Sequence, residues 1–229
     1  MAEISIRRHQ PIFDPSKYPH DIHIIGCGAT GSRIYMALVE LGCMRIHCYD
    51  FDIVEPHNLA NQAFLHAHIG KPKVEGCRNL YELKVGNPPP PTMHYHDMKV
   101  DKDTLSRSDL SGTVFLLVDT VEARKNIYNE LIKDNLMIDH VIETRMASTH
   151  GNVFSFDPSD TDASDRWYKG LPTDDTRELS ACGQPISVGS TASVIANLAI
   201  WRYIMLHSNP AGADRRVDIY LKPFMSHAE

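Results

Sequence analysis

The sequence predicts an α/β protein with a doubly wound, mostly parallel sheet and additional C-terminal strands that can run antiparallel. Three observations lead there. Short apolar strands alternate with helical patterns from residue 21 to residue 143. A glycine-rich turn, GCGATG at 26–31, joins the first strand to the first helix. The run TVFLLV at 113–118 is continuously apolar, as a parallel strand covered on both faces requires.

Residues 21–26, DIHIIG, form the first strand and run straight into the glycine turn. Residues 30–41 place Ile34, Leu38 and Leu41 on one helical face, and Gly42 stops that helix as a C′ glycine should. Residues 45–50 make the next strand and complete a βαβ unit. A second helix is expected over 69–83, ended by Gly86 and the stiff run Pro88–Pro91. Strands follow at 93–100 and 113–118, a helix at 121–133, and strands at 137–143 and 152–156. The segment 157–185 is polar, holds six Asp and one Glu, and shows no period. It reads as a long crossover excursion, and long ordered loops are usually functional. The longest helical pattern is 188–206, and a strand at 216–221 closes the chain.

Composition excludes several classes. A length of 229 residues suits one domain with a sizeable core. A net charge of −6 argues against a nucleic-acid surface, which needs a basic stripe. No apolar run approaches the ~18 residues of a membrane span, and the N-terminus MAEISIRRHQPIF lacks the apolar core of a signal peptide. Five cysteines without a CxxC pair suit neither a disulfide framework nor a common structural zinc site. A cytoplasmic protein is expected.

Gly26, Gly28 and Gly31 carry GxGxxG spacing between a strand and a helix, so a phosphate is expected on the helix N-terminus in a Rossmann-like arrangement. Gly26 permits the tight turn, Gly28 admits close backbone approach, and Gly31 lets the helix pack on the strand. Asp50 ends the second strand, 19 residues beyond Gly31, where a carboxylate can accept from ribose hydroxyls. To this point an NAD(P)-binding oxidoreductase fits equally. Asp52 shifts the balance, because a second carboxylate nearby suits metal and phosphate better than a hydride carrier. Asn58, Gln62 and Lys73 add polar and cationic groups suited to a triphosphate. Asp119 ends the TVFLLV strand at the binding edge of the sheet, where it can also cap the next helix.

Together these residues resemble the E1-like family, the ThiF/MoeB/HesA type of adenylyltransferase. The resemblance runs through GCGATG, the Asp50–Asp52 pair, NLANQ at 58–62, GKPK at 70–73 and DTVEAR at 119–124. It implies ATP and Mg2+, with ribose on Asp50, triphosphate on Asn58 and Lys73, and magnesium on Asp119. It implies adenylation of the C-terminal carboxylate of a ubiquitin-like or sulfur-carrier β-grasp protein, with a possible E2-like partner downstream. It also implies a homodimer in which an N-terminal arginine, Arg7 or preferably Arg8, reaches the partner's γ-phosphate. Cys182 lies in LSACGQPISVGSTAS, similar to the family segment whose cysteine takes the acyl group as a thioester. A passive loop thiol is the competing reading for Cys182.

One departure stands out. Where the family usually has NLNRQ, this chain has Asn61, which removes an always-charged phosphate partner. Arg33, in the first turn after the glycines, and Lys71 are the candidates to compensate. The same departure supports a third reading, a degraded E1-like scaffold without catalysis. Thirteen histidines, His94 and His96 among them, show no metal-site spacing and are expected to be surface and packing residues. Trp201 and Met205 in the last helix are expected on a core or dimer face. The length leaves no room for an appended ubiquitin-fold or rhodanese domain, so partner recruitment is expected from the core and the excursion.

Overall fold

The central strands alternate between two apolar faces, and each face has its own cover of helices. The computed structural model describes residues 4–173, 186–209 and 216–229. In chain order these give β1 (Ile22–Ile25), α1 (Gly31–Glu40), β2 (Ile46–Asp50), α2 (Lys73–Val85), β3 (His94–Asp97) and β4 (Gly112–Leu116). There follow α3 (Val121–Ile127), β5 (Ile138–Met146), β6 (His150–Phe156), α4 (Thr161–Lys169), α5 (Gly189–Ser208), β7 (Arg216–Leu221) and β8 (Phe224–Ala228).

All eight strands belong to one sheet in the order β3-β2-β1-β4-β5-β6-β7-β8. The first five pair in parallel, and β5 through β8 pair antiparallel. The order steps outward from β1 to β3, then reverses from β1 to β4. That reversal opens a crevice at the strands' carboxyl ends, where ligands bind in doubly wound sheets.

Ile24, Cys48, Phe115, Ile142 and Val153 face α1, α2 and α5. Ile25, Tyr49, Val114, Val141 and Phe154 face α3, α4 and the π-helical turn Tyr128–Ile132. Ile24, Ile34, Leu38 and Ile46 are fully buried, and each such side chain contributes about 1.5–3 kcal/mol on leaving water.

The structure corrects four expectations. The second helix starts at Lys73, not residue 69, because the preceding residues are held in tertiary backbone bonds. Val54 N–H donates to Lys71 O (2.8 Å), Gly70 N–H to Val54 O (2.8 Å) and Lys73 N–H to Asp52 O (2.9 Å). The helix after β4 gives way at Tyr128 to a π-helical turn that buries Tyr128, Leu131 and Ile132. The excursion contains α4, capped by Asp160 accepting from Ala163 N–H (3.0 Å); its residues 174–185 lie outside the described part. Only Ala163, Ser164 and Trp167 anchor α4 in an acidic run, too few to set a period. Finally, the chain does not close on β7 but turns back into β8, whose side chains are all exposed. Trp201 is 56% exposed, so it belongs to no core.

Candidate nucleotide site

Two glycines of the turn are fixed by the fold and one is not. Gly26 has φ +100°, and a Cβ there would stand 2.8 Å from Leu117 O. A Cβ on Gly31 would meet Gly26 O at 1.9 Å. A Cβ on Gly28 would meet nothing within 4 Å. The fold therefore gives no steric reason for glycine at 28, and open space in front of that backbone is what a phosphate needs.

Asp50 closes one side of the turn. Its Oδ2 accepts from Cys27 N–H (2.7 Å) and its Oδ1 from Asp52 N–H (2.9 Å). Lys73, the first residue of α2, puts Nζ 2.6 Å from Asp52 Oδ2 and 3.9 Å from Asp50 Oδ1. Burial pushes the Asp50 carboxyl up, against the opposing pull of the Lys73 ammonium and the two N–H donors. The carboxylate pair and the lysine are thus assembled by the corrected start of α2, at the carboxyl end of β2.

The NLANQ segment is tied to the glycine turn by a side chain that the motif reading passed over. Ser32 donates to Gly28 O (2.8 Å) and accepts from Ala63 N–H (3.0 Å). Asn58 is buried, and its Oδ1 accepts from Glu55 N–H (2.9 Å), so it braces the turn Pro56–Ala60. Beside it lies a set of polar atoms that the fold leaves unsatisfied. Arg33 Nε, Asn61 Oδ1, Gln62 Oε1 and Ser187 Oγ are all buried without a hydrogen-bond partner among the described residues. Buried polar atoms are rarely orphaned in a finished structure, and a cluster of them marks a place for a polar ligand.

The start of α5 meets the same spot. A Cβ on Gly189 would stand 3.3 Å from Asn61 Cα and 3.4 Å from Arg33 Nη2. The first turn of a 20-residue helix therefore adjoins the Arg33 guanidinium, adding the positive end of a helix dipole to a fixed cation. Lys71 is not part of this cluster: its Nζ is engaged by Asn79 Oδ1 (3.2 Å) and Glu75 (3.8 Å) on α2.

Asp119 is exposed on the loop after β4, the loop whose Leu117 adjoins Gly26. It is not the cap of α3; Thr120 takes that role, accepting from Ala123 N–H at 3.2 Å. Arg124, also in the DTVEAR motif, is a structural brace. It pairs with the fully buried Glu143 of β5 and donates to Thr144 O (2.9 Å), while Thr144 and Thr30 share a hydroxyl contact of 3.3 Å. Arg145 Nε (3.0 Å) and Trp167 Nε1 (3.2 Å) complete the hydrogen bonding of Glu143. The brace ties the glycine turn to β5.

One expected residue is not brought to the site within one chain. Arg8 is exposed on the N-terminal segment, which packs at the far end of α1: Ile6 adjoins Gly42, and His9 Nε2 lies 3.4 Å from Leu41 O. Cys182 lies outside the described residues. The histidines pack as expected. His23, His47 and His94 stack in sequence across β1, β2 and β3 with 4.6 Å between successive rings, and Tyr49 stacks on His96 at 4.4 Å.

Comparison with known proteins places this architecture. No curated protein matches the chain in sequence. Among solved structures, PaaA superposes with a TM-score of 0.68 at 16% identity, covering 91% of this chain and 63% of that one. E. coli MccB solved with ATP gives a TM-score of 0.66 at 16% identity, covering 91% and 63%. The same enzyme solved with MccA gives 0.69 at 16% identity, covering 92% and 63%. At such identity these likenesses show the fold, and the chain spans under two thirds of each neighbour's length. The family model described as ThiF family matches residues 20–219, and the chain belongs to that family.

Proposed function

We propose that this chain adenylates the C-terminal carboxylate of a small protein or peptide with ATP. The observations that carry the reading are the open backbone face at Gly28 and the buried polar atoms of Arg33, Asn61, Gln62 and Ser187 that have no hydrogen-bond partner among the described residues. A glycine free of steric duty supplies room for phosphate, and the Arg33 guanidinium, beside Gly189 at the start of α5, supplies charge. MccB, a neighbour in fold, is solved with ATP and with MccA, which supports a nucleotide and a polypeptide as the two reactants.

In this reading Asp50 holds the ribose with the lone pairs its two backbone donors leave free. Backbone N–H groups of the turn and the α1 N-terminus take the phosphates. Asn58 and Gln62 line the triphosphate path. Arg33 occupies the space next to Asn61 and replaces the family arginine, so the clamp is rearranged. Lys73, held between Asp50 and Asp52, presents an ammonium to the α-phosphate region. Asp119, with Asp52 as a second carboxylate, would hold magnesium, which would neutralise charge on the phosphate oxygens. The substrate carboxylate attacks the α-phosphorus, forming one P–O bond as the bond to pyrophosphate breaks. The acyl adenylate then has the leaving group that a free carboxylate lacks.

A β-grasp protein is the substrate class proposed first, with acyl transfer to Cys182 as the following step and an E2-like protein downstream. In a homodimer, Arg8 of one protomer would have to reach the site of the other, since its own chain places it at the wrong end of α1. ATP–pyrophosphate exchange tests the reading. Exchange should appear with a β-grasp protein bearing a free C-terminal carboxylate and vanish when that terminus is amidated. Exchange indifferent to the carboxylate would rule the proposal out. A Cys182→Ala chain that still forms a thiol-sensitive conjugate with its substrate would remove the thioester role alone.

A further inference from the structure

Beneath the glycine turn, Cys27, Cys48 and Cys77 bring three sulfurs together from three elements. Cys27 comes from the turn itself, Cys48 from β2 and Cys77 from the second turn of α2. Each residue is 0% exposed, and the three Sγ atoms all lie within 4.8 Å of one another. Three sulfurs around one ion at bonds of ~2.3 Å stand about 4 Å apart in a plane and closer in a pyramid, so the triad binds an ion by contracting around it. Nothing in the proposed chemistry uses these thiols.

The surroundings select the ion. Among the described residues no fourth Cys, His, Asp or Glu joins the set. The described residues therefore offer three ligand atoms, and a tetrahedral structural zinc site is one protein ligand short. Charge narrows the choice further. The Asp50 carboxylate bonds the N–H of Cys27 at 2.7 Å, and a net-negative metal thiolate would bury a second anion next to it at high cost. A trivalent ion with three thiolates is neutral, and soft sulfur ligands favour thiophilic ions.

We propose that Cys27, Cys48 and Cys77 form a binding site for a three-coordinate, thiophilic trivalent ion of the arsenite class. The step balances without a redox partner: As(OH)3 and three thiols give As(S-Cys)3 and three waters. Three As–O bonds break, three As–S bonds form, and each thiol proton leaves with a hydroxide. The bound ion ties the glycine turn to β2 and α2 and stiffens the turn.

The test uses the full chain, reduced with a phosphine and titrated with sodium arsenite. A Cys43→Ala/Cys182→Ala chain retains only the triad of the five cysteines. One arsenic per chain with three sulfur neighbours by X-ray absorption, in this double variant, is the expected result. Adding Cys77→Ala should weaken binding at least tenfold, with Cys77→Ser as the replacement where the alanine variant does not fold. An arsenic bound through fewer than three sulfurs, or no binding by the folded double variant, overturns the proposal.

Discussion

Replacing Gly28 with alanine separates the demands of folding from those of a ligand. Gly28 lacks a left-handed φ, and a Cβ there meets no atom within 4 Å, whereas Gly26 and Gly31 meet backbone oxygen at 2.8 and 1.9 Å. Gly→Ala at a compatible backbone position stabilises by about 0.4–1 kcal/mol, through reduced freedom of the unfolded chain. For a domain of this size ~1 kcal/mol moves Tm by about 2–4 °C. Gly28→Ala should therefore leave Tm unchanged or raise it by a few degrees. Gly31→Ala should lower Tm sharply, because its Cβ has backbone in its path. Affinity should move in the opposite sense. A methyl group in the phosphate cradle should cost at least tenfold in ATP dissociation constant, or about 1.4 kcal/mol, read by isothermal titration. A folded Gly28→Ala chain that binds ATP as tightly as the parent would refute the placement of phosphate at this turn.

Three further substitutions probe the site and its support. Arg33→Ala should weaken ATP about tenfold or more, the scale of a charged hydrogen bond of ~1.5–3 kcal/mol, with little change in Tm; Lys71→Ala, pointed at Asn79 and Glu75, should not. Lys73→Met leaves the buried Asp50 carboxylate without its cation and should cost about 3–5 kcal/mol of stability at neutral pH in urea unfolding. Burial already raises the Asp50 carboxyl above its ordinary 3.8, so in the pH window just above that value the folded chain keeps a proton that the unfolded chain has shed. The deficit should therefore deepen as pH rises above that value and shrink in acid.

His23 gives the opposite sign. It accepts from Ser111 N–H through Nε2 (3.3 Å), which leaves Nδ1 to donate to the Tyr49 hydroxyl (3.2 Å). Burial pushes its pKa from 6.5 to about 3. Between those values the unfolded chain binds the proton and the folded chain does not, so stability falls as pH drops through the window. The slope from this residue is at most about 1.4 kcal/mol per pH unit. His23→Gln should flatten the acid limb of a stability–pH curve, and an unchanged limb would show that His23 is not buried neutral.

The sequence reveals the parallel half of the fold because its signals are local. A glycine turn, a continuously apolar strand and helix-stopping glycines each follow from backbone sterics and burial. What was not legible depends on contacts between distant residues. The start of α2 at Lys73 is set by backbone pairing with Asp52 and Val54, which residues 69–72 do not announce. Short α4 hides among aspartates because three small or aromatic anchors suffice to seat it. Exposed β8 has no buried face to impose a period of two. At the proposed site, Asp50 and Lys73 were nominated by spacing and by the family resemblance, and the preference for Arg33 over Lys71 comes from the packing of α5 alone. Both cations follow the motifs closely, and only the packing of α5 against Arg33 and Asn61 distinguishes them. Ser32 was invisible as a motif residue, since its role is to bridge two loops.

Nucleotide choice is the most direct test of the whole account. Isothermal titration of the chain with ATP, in the presence and absence of magnesium, should show saturable binding that magnesium strengthens and Lys73→Met weakens. NAD under the same conditions should give no heat. Tight NAD binding, or no ATP binding at any magnesium concentration, would contradict the assignment of the Gly28 cradle to the triphosphate of ATP.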